Sequence, residues 1–154
     1  MEKLPLSVAI ITYNEEENIE RTLKSIKDIA AEIIIVDSFS NDKTVEIAKR
    51  YDVKVFNEKW KGHIEQKNSA LEKCSETWIL SLDADEVLSD ELRKNIFEAI
   101  NNEKNDGYFI NRKTHYLGKL MNYGWQPDKK LRLVKRSSNP HWEGLNPHDF
   151  LTID

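Results

Sequence analysis

At 154 residues the chain has the length of one domain, able to bury roughly two-thirds of its unfolded surface, and needs no second core. Charged residues make up 32% and hydrophobic ones 39%, a balance that excludes a disordered chain. Lys and Arg number 23 against 27 Asp and Glu, and the net charge of -4 argues against a nucleic-acid partner and for an acidic site that recruits a cation.

The single cysteine, Cys74, forbids an intramolecular disulfide, disfavours a zinc cluster and points to a reducing compartment. The amino-terminal run MEKLPLSVAIIT has an apolar stretch of only about seven residues before charge returns, too short for a signal peptide or a membrane span. A cytoplasmic protein is expected.

In chain order, LSVAIIT at 6–12 reads as a buried strand, and Ile19, Leu23 and Ile26 then give helical spacing over 16–28. The β-branched run 33–36 predicts a second strand, Ser38 to Asn41 supply turn chemistry, and 42–50 reads as a helix. A strand at 53–56 follows, then a loop with Trp60, Gly62 and His63, a helix at 64–74, and a strand at 78–82 that ends in acid. A fourth helix at 89–101 opens at Ser89 and Asp90, both N-cap candidates. Beyond it, 107–116 and 130–136 alternate like strands of an antiparallel, aromatic region. Strands alternating with helices predict an α/β fold with a mostly parallel central sheet and an antiparallel carboxyl-terminal part. The chain is expected to be one domain, with a parallel α/β half at 1–102 and a more antiparallel half at 103–154.

The strongest chemical signal is LSLDADE at 80–86. In extended backbone Asp83 and Asp85 would face the same way at a strand end, where open α/β sheets bind ligands. Convergent carboxylates repel unless a hard cation joins them, and Mg²⁺ is held by one or two carboxylates plus substrate phosphates. The bland alternative is a solvated acidic turn. Against it, Thr12, Tyr13, Asn14 and Glu15 end the first strand and Asp37, Ser38 and Asn41 end the second, so polar groups gather at one sheet edge.

VAIITYNEEENIERTL, IIIVDSFSNDKTVEIA and QKNSALEKCSETWILSLDADE resemble, in order and spacing, the blocks of the inverting family 2 glycosyltransferases, whose fold is the GT-A type. The later YLGKLMNYGWQPDKKLRLVKR and HWEGLNPHD resemble the branch containing lipopolysaccharide core glucosyltransferases. The resemblance implies a nucleoside-diphosphate sugar as donor, UDP-linked by preference, a divalent cation (Mg or Mn), and a glycan or lipid-linked saccharide acceptor. A peripheral place at the inner face of a membrane goes with that branch. Thr12, Asn14 and Glu15 match the nucleotide-contacting segment, Asp37 the aspartate on base or ribose, and Lys67 and Asn68 an Arg-Asn pair beside the nucleotide. Lysine in place of arginine loses the bidentate fork. Asp83 matches a carboxylate near ribose and diphosphate, and Asp85 the principal metal ligand. The resemblance also makes 1–102 the nucleotide-binding half and 103–154 the start of an acceptor half.

Inversion requires a carboxylate that takes the acceptor proton, and HWEGLNPHD offers Asp149 first and Glu143 second. His148 reads either as a further metal ligand or as a structural histidine. Trp125 and Arg132 are candidates for sugar or pyrophosphate contact, Trp125 with a packing alternative and Arg132 with an ambiguous strand position. Trp60 and Trp78 read as packing, Arg136 as surface and Cys74 as a small buried hydrophobe. The sequence ends at Asp154, where relatives of that branch continue, so a donor-binding module without catalysis is the alternative function. A DxD phosphatase is a weaker one, because its motif belongs on the first strand. A dinucleotide fingerprint is missing, since TYNEEEN has no glycines.

Overall fold

The computed structural model describes residues 2–113, 115–116, 119–120 and 128–154. Its centre is a six-stranded sheet. The elements run β1 (Leu4–Thr12), α1 (Ile19–Ile26), β2 (Ala30–Asp37), α2 (Thr44–Ala48), β3 (Lys54–Asn57), α3 (His63–Glu72), β4 (Trp78–Asp83) and α4 (Asp90–Asn102). They continue with β5 (Gly107–Arg112), β6 (His115–Tyr116), β7 (Lys119–Leu120), β8 (Asp128–Lys135), β9 (His141–Leu145) and β10 (His148–Thr152). The strand order is β3-β2-β1-β4-β8-β5, with β6 and β7 forming one small hairpin and β9 and β10 another. β3, β2, β1 and β4 are mutually parallel, and β8 enters antiparallel to both β4 and β5.

The apolar runs of β1, β2 and β4 are continuous because both faces of the sheet are covered. Leu6, Val8 and Ile10, with Ile33, Ile35, Trp78 and Leu80, pack under α1, α2 and α4. The alternate residues Ala9, Ile34, Val36 and Ile79 pack against Ala70 and Leu71 of α3 and against Trp142 and Leu151 of the β9–β10 hairpin. Helices thus lie on both faces, and a hairpin completes the second. Ser89 is the N-cap of α4, its side chain accepting from the Leu92 N–H at 3.1 Å.

The expected helix at 16–28 starts only at Ile19, because Glu15 to Asn18 form a turn whose polar groups face the neighbouring loop. The expected helix at 42–50 begins at Thr44, since the Asp42 side chain accepts from the Thr44 N–H at 2.9 Å and ends the turn there. The alternation over 107–116 is two strands in different sheets, β5 and β6. The main sheet extends past residue 102, for β8 lies against β4.

Candidate functional site

The parallel register sets the site. Thr12 lies opposite Asp37, and Ile11 opposite Asp83, so the carboxyl ends of β2, β1 and β4 stand side by side. The loops after β1 and β2 then lock together. Asn14, with φ +51°, donates its N–H to Ser40 Oγ at 2.9 Å and accepts the Asn41 N–H on Oδ1 at 3.0 Å. The Glu15 N–H reaches Thr44 Oγ1 at 2.7 Å, and Lys43 N–H reaches the Glu16 carboxylate at 3.0 Å.

Asp37 closes that lock from below. It is 0% exposed, accepts from Thr12 Oγ1 and Ser40 Oγ on Oδ1, each at 2.6 Å, and takes the Ser40 N–H on Oδ2 at 2.8 Å. It does not line the cavity described next. Both its oxygens bond within the turn, and the groups that line the cavity at these strand ends are Thr12, Tyr13, Glu15 and Ser38. Asn14 likewise spends its amide on the loop and is absent from the lining.

A cavity of about 1250 Å³ opens beyond these strand ends. Asp83 and Asp85 both line it, although β4 ends at Asp83 and Ala84 and Asp85 turn away from extended backbone. The turn is closed by the Glu86 N–H on the Asp83 carbonyl at 3.1 Å and by the Asp83 N–H on the Glu86 carboxylate at 2.8 Å. Same-face alternation is thus not what brings the pair together. Their electrostatics also differ. Asp83 faces Lys67 at 3.5 Å, Arg132 at 3.5 Å and Arg112 at 3.9 Å. Burial pushes its carboxyl up, but Arg132, Lys67 and Arg112 together outweigh this and hold it below the usual carboxylate range. Asp85 is exposed and makes no salt bridge among the described residues.

Helix α3 brings three consecutive side chains to three different elements. Gln66 donates to Ser38 Oγ at 3.0 Å. Lys67 bonds the Asp149 carboxylate at 2.7 Å while facing Asp83, and its ammonium lies 4.1 Å from the centre of the Trp142 indole. Asn68 uses both ends of its amide on the Trp142 backbone, at 2.7 and 3.0 Å. Asn68 thus ties the hairpin to the helix and is not among the residues lining the cavity.

Arg132 is buried and points at Asp83 and Glu86, which resolves its ambiguous strand position in favour of the cavity. Asp149 and His148 line the cavity, whereas Glu143 is half exposed, faces His141 at 3.6 Å and stays outside it. No group of three His, Cys, Asp or Glu forms a ready metal cage among the described residues. Trp125 lies outside the described residues. Trp78 is fully buried, and Cys74 is buried with its thiol pushed up to about 12, chiefly by desolvation. Arg136 is exposed and donates to the Glu76 carbonyl.

Trp60 is not packed as expected: it is 50% exposed and lines the cavity. Also missed were Arg112, Trp142, Phe109 and Phe150. Arg112 bonds Asp128 at 2.7 Å across the β5–β8 ladder, a pairing with no local signal, because sixteen residues separate the partners.

The fold and site define a GT-A type α/β domain with a cavity at its strand ends lined by both carboxylates and cationic side chains. The chain belongs to glycosyl transferase family 2, whose model matches residues 7–150. It is 35% identical over 145 residues to the lipopolysaccharide core biosynthesis glycosyltransferase LpsC of Rhizobium meliloti, covering 87% of this chain and 52% of that protein. An uncharacterized glycosyltransferase of Rickettsia bellii is 46% identical over 103 residues, 67% of this chain and 35% of the relative. The chain thus spans about a third to a half of these curated relatives. Among solved structures, S. aureus TarS 1-349 in complex with UDP-GlcNAc superposes with a TM-score of 0.70 at 20% identity, over 92% of this chain and 49% of that one. The mannosyltransferase PcManGT of Pyrobaculum calidifontis, in complex with GDP-Man and Mn2+, gives 0.58 at 23%, over 73% and 37%. Family membership removes the phosphatase alternative. No helix among the described residues is long and apolar enough to cross a membrane.

Proposed function

We propose that the cavity binds a nucleoside-diphosphate sugar, UDP-linked by preference, with a divalent cation, and that the sugar passes with inversion to a glycan or lipid-linked saccharide. The observation that carries this reading is the meeting of Asp83, Asp85, Lys67 and Asp149 in one cavity at the carboxyl ends of parallel strands. UDP-GlcNAc in TarS and GDP-Man with Mn2+ in PcManGT, on the same fold, support it.

Asp85, exposed and without an ion pair, would hold the cation, with Asp83 beside it, and hard carboxylate oxygens suit Mg²⁺ or Mn²⁺. When bound, the cation supplies charge neutralisation on the departing diphosphate. Lys67 and Arg132 add fixed positive charge on the same wall, where Asp83 keeps them oriented. His148 lines the cavity as well and stays a candidate to complete a metal shell. Asp149 accepts the proton of the attacking hydroxyl as the acceptor oxygen bonds to the anomeric carbon and the bond to the diphosphate breaks. Glu143, outside the cavity, takes no part.

One contact favours a second reading, donor binding without transfer: the Asp149 carboxylate already holds the Lys67 ammonium at 2.7 Å. Incubation with a panel of UDP- and GDP-sugars, Mn²⁺ and saccharide acceptors, with detection of released nucleoside diphosphate, separates the two. Transferase function gives acceptor-dependent release. A binding module takes up the nucleotide and releases nothing.

A further inference from the structure

A third acid stands next to the Asp83–Asp85 turn, outside the cavity lining. Glu86 is half-buried and is not among the lining residues, whereas Asp83, Asp85, Arg112 and Arg132 all are. Its two oxygens are divided between two tasks. Oε2 accepts the Asp83 N–H at 2.8 Å, and the Glu86 N–H returns to the Asp83 carbonyl at 3.1 Å, so one residue closes both ends of the turn that carries Asp85. Oε1 faces Arg112 Nη1 at 3.4 Å and Arg132 Nη2 at 3.8 Å. The same two guanidinium nitrogens face Asp83 Oδ2, at 3.9 and 3.5 Å. Asp83 and Glu86 therefore share one pair of arginines.

Both arginines are fixed from elsewhere. Arg112 places Nε and Nη2 on Asp128 Oδ2, at 2.9 and 2.7 Å. Arg132 is buried, its Nη1 reaches the Ser81 carbonyl at 3.4 Å, and its Nε has no partner among the described residues. A buried guanidinium needs a countercharge, and Arg132 finds it only in the two carboxylates that Nη2 faces. Lys67 adds a third cation at the other oxygen of Asp83, at 3.5 Å. Three cations around one carboxylate would repel a divalent ion brought to it, with a single negative charge to offset them. Glu86 adds a second negative charge to the same arginines without lining the cavity. We infer that Glu86 is a positioning residue: it holds the turn that carries Asp85 and takes up charge of Arg112 and Arg132, so that Asp83 and Asp85 stay open to a divalent cation. The inference rests on the proposed cation-dependent donor binding.

The test is a calorimetric titration of UDP into the whole chain, with Mn²⁺ and with excess EDTA, for wild type, Glu86→Gln and the double variant Glu86→Gln/Arg112→Gln. Glutamine keeps an acceptor for the Asp83 N–H and loses the charge. UDP binding should be tighter in Mn²⁺ than in EDTA by about tenfold or more in wild type, and by about threefold or less in Glu86→Gln. In EDTA the Glu86→Gln variant should bind UDP as well as wild type or better, because the site has lost a negative charge. Removing one arginine as well restores the balance, so the double variant should regain most of the Mn²⁺ effect. A full Mn²⁺ effect in Glu86→Gln, or a weakening that is equal in Mn²⁺ and in EDTA, overturns the inference and leaves the cation reading standing. Circular dichroism checks the fold. Should Glu86→Gln fail to fold, the double variant decides, and its failure to regain the Mn²⁺ effect overturns the inference. A wild type that binds UDP equally in Mn²⁺ and EDTA, or does not bind it, overturns the proposed cation-dependent donor site and this inference with it.

Discussion

Two neighbouring parts of the same sheet edge use aspartate in opposite ways. At the ends of β1 and β2, Asp37 is wholly buried and takes three hydrogen bonds from neutral donors, so its charge is consumed in holding two loops together. At the end of β4 and on β10, Asp83, Asp85 and Asp149 face a cavity; the first and last share one lysine, and Asp85 has no ion pair among the described residues. Residue type and strand position are nearly the same. The difference lies in where the backbone turns. After Asp37 the chain folds back so that Ser40 donates to it, whereas after Asp83 the turn is closed by Glu86, which leaves the aspartates to the cavity.

The largest effect expected from breaking the open side is kinetic. Asp149→Asn keeps shape and loses basicity, so transfer should fall by roughly a hundredfold or more while donor affinity changes about twofold or less. Steady-state rates with separate donor titrations measure both, and Glu143→Gln should be mild by comparison. Full activity in the asparagine variant would remove the base from Asp149.

The closed side should respond in stability. Asp37→Ala leaves Thr12 Oγ1, Ser40 Oγ and the Ser40 N–H without their acceptor in a buried place, at a cost of about 2–3 kcal/mol and roughly 5–10 °C in Tm. Thermal unfolding with a normal Tm in this variant would show that the loops hold each other without it.

Far from both, Glu32 on β2 gathers Ser7, Lys54 and Ser75 at the other end of the strands. Burial pushes its carboxyl up, but the bonds from Lys54, Ser7 and Ser75 outweigh that and bring it to about 2, from an ordinary 4.5. A folded-state value below the unfolded one stabilises fully above pH 4.5, and the stabilisation is lost as pH falls toward 2, about 3 kcal/mol at most. Glu32→Gln should flatten the acid limb of the stability profile across that window. An unchanged limb would show that other carboxylates control it.

The order of strands and helices was legible because each parallel strand is an unbroken apolar run and each helix carries its own spacing, from Ile19, Leu23 and Ile26 onward. Asp83, Asp85 and Lys67 were legible as well, the first two from a strand ending in acid and the third from the family resemblance. What stayed hidden depends on contacts distant in sequence. Nothing near Asp37 tells whether its carboxylate turns inward to Ser40 and Thr12 or outward. Asn68 reads the same whether it meets a ligand or the backbone of Trp142, seventy-four residues later. Trp60 was misjudged because a tryptophan in a loop usually packs, whereas here it is half exposed and lines the cavity.

The most direct test of the open site is a calorimetric titration of UDP into the chain with Mn²⁺ and again with excess EDTA, in wild type and in Asp85→Ala. Saturable binding with Mn²⁺, weakened at least tenfold by EDTA and equally by the substitution with the fold intact, is the predicted result. Affinity that is the same in all four titrations would contradict a cation held at Asp85.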